Sequence, residues 1–115
     1  MKLKALWKVD YKKEVEHAIM ARLNGNEGMA RVCARRAAGI IIGEYLNRLG
    51  YSNLTHSTYD RLSMFNNLSA VDQKYKDIAN HFLLKVNLEH KLPLEADLIS
   101  DVMWLEKSLL SENND

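Results

Sequence analysis

Cysteine, proline and glycine are all scarce in this 115-residue chain, with one, one and five copies, and each scarcity closes off a class of protein. Cys33 alone cannot form an intrachain disulfide, so the fold must be held by its core, and a reducing, cytoplasmic setting is the default expectation. Pro93 and five glycines are the only strong punctuation, and no run alternates β-branched and polar residues, so a sheet has almost nothing to be built from. Long hydrophobic runs are missing too. The longest apolar string lies around Gly39 to Gly43, far short of the roughly 20 residues a membrane span requires. The opening, MKLKALWKVDYKKE, carries a lysine or an acid every few residues and no apolar run of signal-peptide length, so neither secretion nor membrane insertion is expected. An excess of one charge is absent as well: 16 basic side chains nearly cancel 15 acidic ones. No global field draws the chain to nucleic acid or to an anionic surface, and any such binding has to come from a local patch.

What remains is helical periodicity, and the sequence predicts an all-α protein, an up-and-down bundle of four to five helices in a single domain over residues 1–115. A first helix is expected after Asp10 as N-cap, with Val15, Ile19 and Leu23 beside Ala18 and Ala21 on its buried face and Asn24-Gly25 as its stop. A second, long helix opens near Asn26 or Glu27 and runs to Leu49, where Gly50 supplies a left-handed cap. Ser57 with Asp60 announces a third helix with Leu62, Phe65 and Leu68 inward, broken at Asn66-Asn67. Ser69 with Asp72 repeats that signal for a fourth helix, with Val71, Tyr75, Ile78, Ala79, Phe82, Leu83 and Val86 inward and an end between Asn87 and Lys91. Pro93 suits the first turn of a last helix carrying Leu94, Leu98, Val102, Leu105 and Leu109 before the polar tail SENND.

The residues able to carry chemistry are few. Arg31, Arg35 and Arg36 fall within six positions on the long helix, and Arg31 and Arg35 are one turn apart, so their planar donor forks can address one phosphate or carboxylate. The competing reading pairs them with acids of neighbouring helices, for which Glu14, Glu16, Glu27 and Asp101 are available. Gly39 and Gly43, one turn apart with Ile40 to Ile42 between them, let another element approach closely, as tight packing within the bundle or across a homodimer. Glu14 and His17 have the Glu-x-x-His spacing of carboxylate metal bundles, but a single copy does not make a site, and no metal or other cofactor is expected. His56, His81 and His90 have no serine, cysteine or carboxylate partner at a recognisable spacing, so no catalytic residue is assigned. Trp7 and Trp104 are expected to close the two ends of the core.

A short first helix, a glycine-containing turn and a long second helix reading GMARVCARRAAGIIIGEYL make the chain similar to the small helical proteins of the HEPN superfamily. The proline-led stretch LPLEADLISDVMWLEKSLL agrees with that layout. The resemblance implies a bundle dimerised through its long helices, in a prokaryotic toxin–antitoxin or defence system or beside a small nucleotidyltransferase. Many members cut RNA with an arginine followed, after four to six residues, by a histidine. That motif is absent: Arg48 and His56 are too far apart, Arg61 meets Asn66 and Asn67 at the matching distance, and His81 and His90 are preceded by Lys76 and Lys85. The resemblance therefore implies a non-catalytic relative that binds a protein partner, a nucleotide or RNA through its arginine patch. A divergent ribonuclease of the same fold, with an arginine of the second helix and His81 or His90 meeting across a dimer, is the alternative.

Overall fold

In the computed structural model, which describes residues 6–85, 92 and 96–110, the elements are α1 (Leu6–Leu23), α2 (Glu27–Arg48), α3 (Thr58–Asn66), α4 (Gln73–Ala79), a 3₁₀ turn (Asn80–Leu83) and α5 (Leu98–Leu110). No strand occurs among the described residues, and the all-helical bundle is as expected. At 22 residues, α2 is about 33 Å long and is the common partner of α1, α5 and α3. Only Asn24 to Asn26 separate α1 from α2, which folds the two into an antiparallel hairpin.

The α2 boundaries follow from its ends. Asn26 caps the start by accepting the Met29 backbone N–H on its side-chain oxygen at 3.0 Å, a contact worth about 1 kcal/mol. At the other end Gly50 has φ +102°, a conformation costly for any residue with a Cβ. The buried surface between these ends is made of Ala30, Cys33, Ala34, Ala37, Ala38, Gly39, Ile41, Ile42, Gly43 and Leu46. Burying Ile41, Ile42 and Leu46 completely supplies about 1.5–3 kcal/mol each. The small residues between them are what allow neighbouring helices to lie close.

Several expectations about α1 are corrected. It already runs through Leu6, so Asp10 lies inside it and is no N-cap. Its buried residues are Tyr11, Val15, Ala18 and Ala21, whereas Ile19 is 41% and Leu23 74% exposed. Two apolar stripes compete on this helix, and a closely packed interface with the alanine surface of α2 selects the one containing Ala18 and Ala21.

The α3 cap forms as expected, since Ser57 Oγ accepts the Asp60 N–H at 3.2 Å. The return arm runs through a hydroxyl: the Ser57 N–H donates to Thr55 Oγ1 and the Thr55 hydroxyl donates to Asp60 Oδ2. Leu62 and Phe65 are buried, Tyr45 meets Phe65 edge-on at 5.7 Å, and Leu68 packs against the core from its margin. The fourth helix is shorter than its pattern suggests. Asp72, without Ser69, caps it by accepting the Lys74 N–H, and it gives way to the 3₁₀ turn at Asn80. Of the expected inward residues, Val71 before the helix, Ala79 within it and Phe82 in the 3₁₀ turn are buried, while Val86 and the proposed end at Asn87 to Lys91 lie outside the described residues.

The last helix opens at Leu98, well after Pro93 and Leu94, which are themselves outside the described residues. Asp97 sets that start by accepting the backbone N–H groups of Ile99 and Ser100. Leu98, Val102 and Leu105 are buried as expected. Trp7 packs on the core beside Tyr11, but Trp104 is 40% exposed and leans on Tyr75 at 5.6 Å, so it does not close the bundle. Among the described residues the buried apolar side chains form one core cluster.

Arg22 joins the ends of three helices: it donates to Glu27 at 3.0 and 2.7 Å and to Asp97 at 3.1 Å. The Arg22 bond holds the Glu27 carboxyl below its usual 4.5. At Asp97 burial opposes ionisation, but the Ser100 N–H and Arg22 outweigh it, and the carboxyl sits below its usual 3.8. A carboxyl with a depressed folded pKa stabilises above its unfolded value and loses that contribution as pH falls through the folded one. Acid titration followed by circular dichroism is expected to show stability dropping below about pH 4, with a smaller drop in Glu27→Gln; screening at these exposed groups keeps the difference modest.

The glycine seat on α2 gives a second expectation. A Cβ on Gly39 would collide with Thr58 Oγ1 and stand 3.2 Å from Thr58 Cβ and 3.5 Å from its Cα, atoms tied to the start of α3. Gly39→Ala is expected to destabilise by about 1–3 kcal/mol in urea melts, even though alanine is the better helix former by about 1 kcal/mol.

Candidate functional site

The three arginines of the expected anion patch divide by role. Arg35 is partly buried, and its planar fork spans two carbonyls, with Nε on Phe82 O and Nη2 on Leu84 O, both at 3.1 Å. It thereby ties the exit of the 3₁₀ turn to α2 across 47 and 49 residues of sequence. Burial, then the charge of Arg31, draws the Arg35 pKa below its ordinary value, as expected for a cation that has lost water beside a like charge. Arg31 lines the same groove as Arg35. Arg36 is exposed and does not line that groove; its charge acts on Cys33 instead.

That groove, about 540 Å³, lies within the ~300–1,000 Å³ usual for small-ligand sites. Leu62, Phe82 and Leu83 form an apolar floor, and Arg31, Arg35 and Lys85 supply the cations, with Thr58 and the exposed Tyr59 beside them. Gly28, in the first turn of α2, completes the wall. None of the described residues lining it is acidic. Of the acids proposed as arginine partners, Glu27 bonds to Arg22 and also feels the charge of Arg31, while Asp101 accepts His81 Nδ1 at 2.8 Å. Lys85 and Tyr59 are site residues that sequence reading missed, because no spacing links positions 59 and 85 to Arg31.

The packing residues fall inside the chain. Gly39, Ile42 and Gly43 are buried, with Thr58 over Gly39 and the Arg61 guanidinium over Gly43. Ile40 is partly buried and lines a second groove. This groove, about 450 Å³, brings Trp7, Asp10, Glu44, His56 and Arg61 together with the loop Tyr51 to Leu54. The sequence signal that bears on it is the Gly39–Gly43 spacing, since Gly43 makes room for the Arg61 guanidinium; nothing in the sequence linked His56 to Arg61.

The remaining candidates carry little chemistry. Cys33 is buried, and burial followed by the Glu14 charge raises its pKa, which disfavours the thiolate a nucleophile needs. Glu14 turns inward toward Cys33 with Oε1 buried and without a hydrogen-bond partner, while His17 is exposed. Among the described residues no group of three or more His, Cys, Asp or Glu side chains is placed to hold a metal ion. Burial, and then Glu106, push the Tyr11 hydroxyl up to about 12, so it stays protonated. His90 lies outside the described residues.

Arg35→Ala is expected to lower stability by about 2–4 kcal/mol, since it leaves two carbonyls without their charged donor. Arg35→Lys is expected to recover only part, because an ammonium cannot span both oxygens; paired urea melts check this. Comparison with models of known protein families, with curated proteins and with solved structures finds no match to this chain.

Proposed function

We propose that this protein is a binding or regulatory module without chemistry of its own, and that it offers the Arg31–Arg35 groove to an anionic ligand. The observation that carries the reading is a groove with three cationic side chains and no acid among its described lining residues. In a chain whose charges nearly cancel, such a concentration of one sign attracts a nucleotide phosphate, an RNA backbone or the acidic face of a protein partner. Arg35 is fixed by its carbonyl bonds, Arg31 and Lys85 line the same groove, and Tyr59, 66% exposed, offers a ring for stacking.

The wider proposal is the HEPN-like one, a cytoplasmic homodimer acting in a prokaryotic toxin–antitoxin or defence system. Two apolar side chains left open on α2, Met29 and Val32, at 46% and 37% exposure, support a dimer through the long helices. No helix among the described residues is long and apolar enough to cross a membrane. The ribonuclease alternative receives less support. His81 is bonded to Asp101 and does not line the arginine groove.

Size exclusion with light scattering is expected to give a species near twice 13.2 kDa, and Val32→Glu is expected to halve that mass. Binding of a fluorescent single-stranded RNA or nucleotide is expected to weaken with salt and to fall at least about tenfold in Arg31→Glu with Lys85→Glu. Unchanged binding in that double variant would sink the groove as the ligand site.

A further inference from the structure

The second groove contains a cation that the fold does not neutralise. Arg61 projects from α3 onto the seat left by Gly39 and Gly43, where Nη1 donates to Gly39 O at 2.8 Å and Nε donates to Thr55 O at 2.7 Å. Both acceptors are neutral carbonyls, and among the described residues no carboxylate forms an ion pair with this guanidinium. Burial draws its pKa below the ordinary value, as expected for a charge that has lost water without gaining a counter-charge. A guanidinium has five N–H donors; the two carbonyls take one each from Nε and Nη1, and the Nη2 end makes no hydrogen bond to the described residues. It lines a groove with His56, Ser52 and Asn53, whose side chains are exposed.

We propose that the Arg61–His56 groove is a binding site for a small phosphomonoester whose carbon skeleton carries hydroxyl groups. The rigid guanidinium edge and the nearby imidazole supply charge-assisted donors to one phosphate, and the Ser52 hydroxyl and Asn53 amide can complete its shell. Asp10 and Glu44 line the same groove. As acceptors they suit hydroxyl groups, and as negative charges they oppose a second phosphate, which selects a monophosphate over a polyphosphate. Glu44 is held in place by Arg48 Nε at 3.0 Å, and the part-buried Trp7 ring gives an apolar wall. The site stands apart from the Arg31 groove and does not depend on what binds there.

Titration of the ¹⁵N-labelled protein with ribose 5-phosphate tests this, with ribose as the probe lacking the phosphate. The expected result is saturable shifts at the Ser52, Asn53 and His56 amides and at the Arg61 side-chain N–H, and none with ribose. His56→Ala removes an exposed side chain and is expected to keep the melting temperature while weakening binding about tenfold or more. Arg61→Lys keeps the charge but loses the planar edge, and is expected to weaken binding comparably. Arg31→Glu is expected to leave this affinity unchanged even if it abolishes ligand binding in the other groove. No saturable shift at millimolar ribose 5-phosphate, equal shifts with ribose, or undiminished affinity in His56→Ala would overturn the assignment.

Discussion

Along α2 the buried positions are dominated by alanine and glycine, and the rest of the packing depends on that lack of side-chain bulk. Ala30, Ala34, Ala37 and Ala38 are fully buried, so the neighbouring helices can approach the α2 backbone closely. Gly39 and Gly43 leave space for α3 to seat Thr58 and Arg61 directly on the helix. The larger Ile41, Ile42 and Leu46 fill what the small residues leave open. One helix thus meets three partners, and the orientation of α3 against it creates the groove lined by Arg61 and His56.

The arginines perform a second structural task, and it differs from ion pairing. Arg35 and Arg61 each donate to two backbone carbonyls, Arg35 to Phe82 and Leu84 in a distant segment and Arg61 to nearby Thr55 and to Gly39 on α2. A planar fork with several donors can hold two carbonyls at once. Because those partners are neutral, the positive charge survives at the rim of each groove. In the proposed reading, the side chains that fix these backbone segments are also the ones that would attract an anion.

Part of the site was readable beforehand. Arg31 and Arg35 are one turn apart on a helix, and that spacing alone places them on one face, as the groove confirms. Arg36, one position on, is rotated about 100° from Arg35 by the same geometry and stands outside the groove. Nothing in the spacing could show that Arg35 would spend its donors on Phe82 and Leu84, or that Lys85 and Tyr59 would join it. His56 gave no sign of a partner because Arg61, in the same groove, belongs to a helix whose docking is settled by glycines far earlier in the chain.

What local physics controls was legible in the chain: helices without strands among the described residues, the α2 ends at Asn26 and Gly50, the Ser57 cap and the inward stripes of α3 and α5. These depend on backbone groups and periodicities within a few residues of one another. Tertiary structure decided which of two apolar stripes α1 buries, leaving Leu23 in solvent while Ala21 is covered. It also decided that the final helix opens at Leu98 behind Asp97, with Arg22 close by, and that Arg61 rests on α2. Each of those outcomes compares the fit of surfaces brought together from distant parts of the chain, and that comparison exists only once the helices have met.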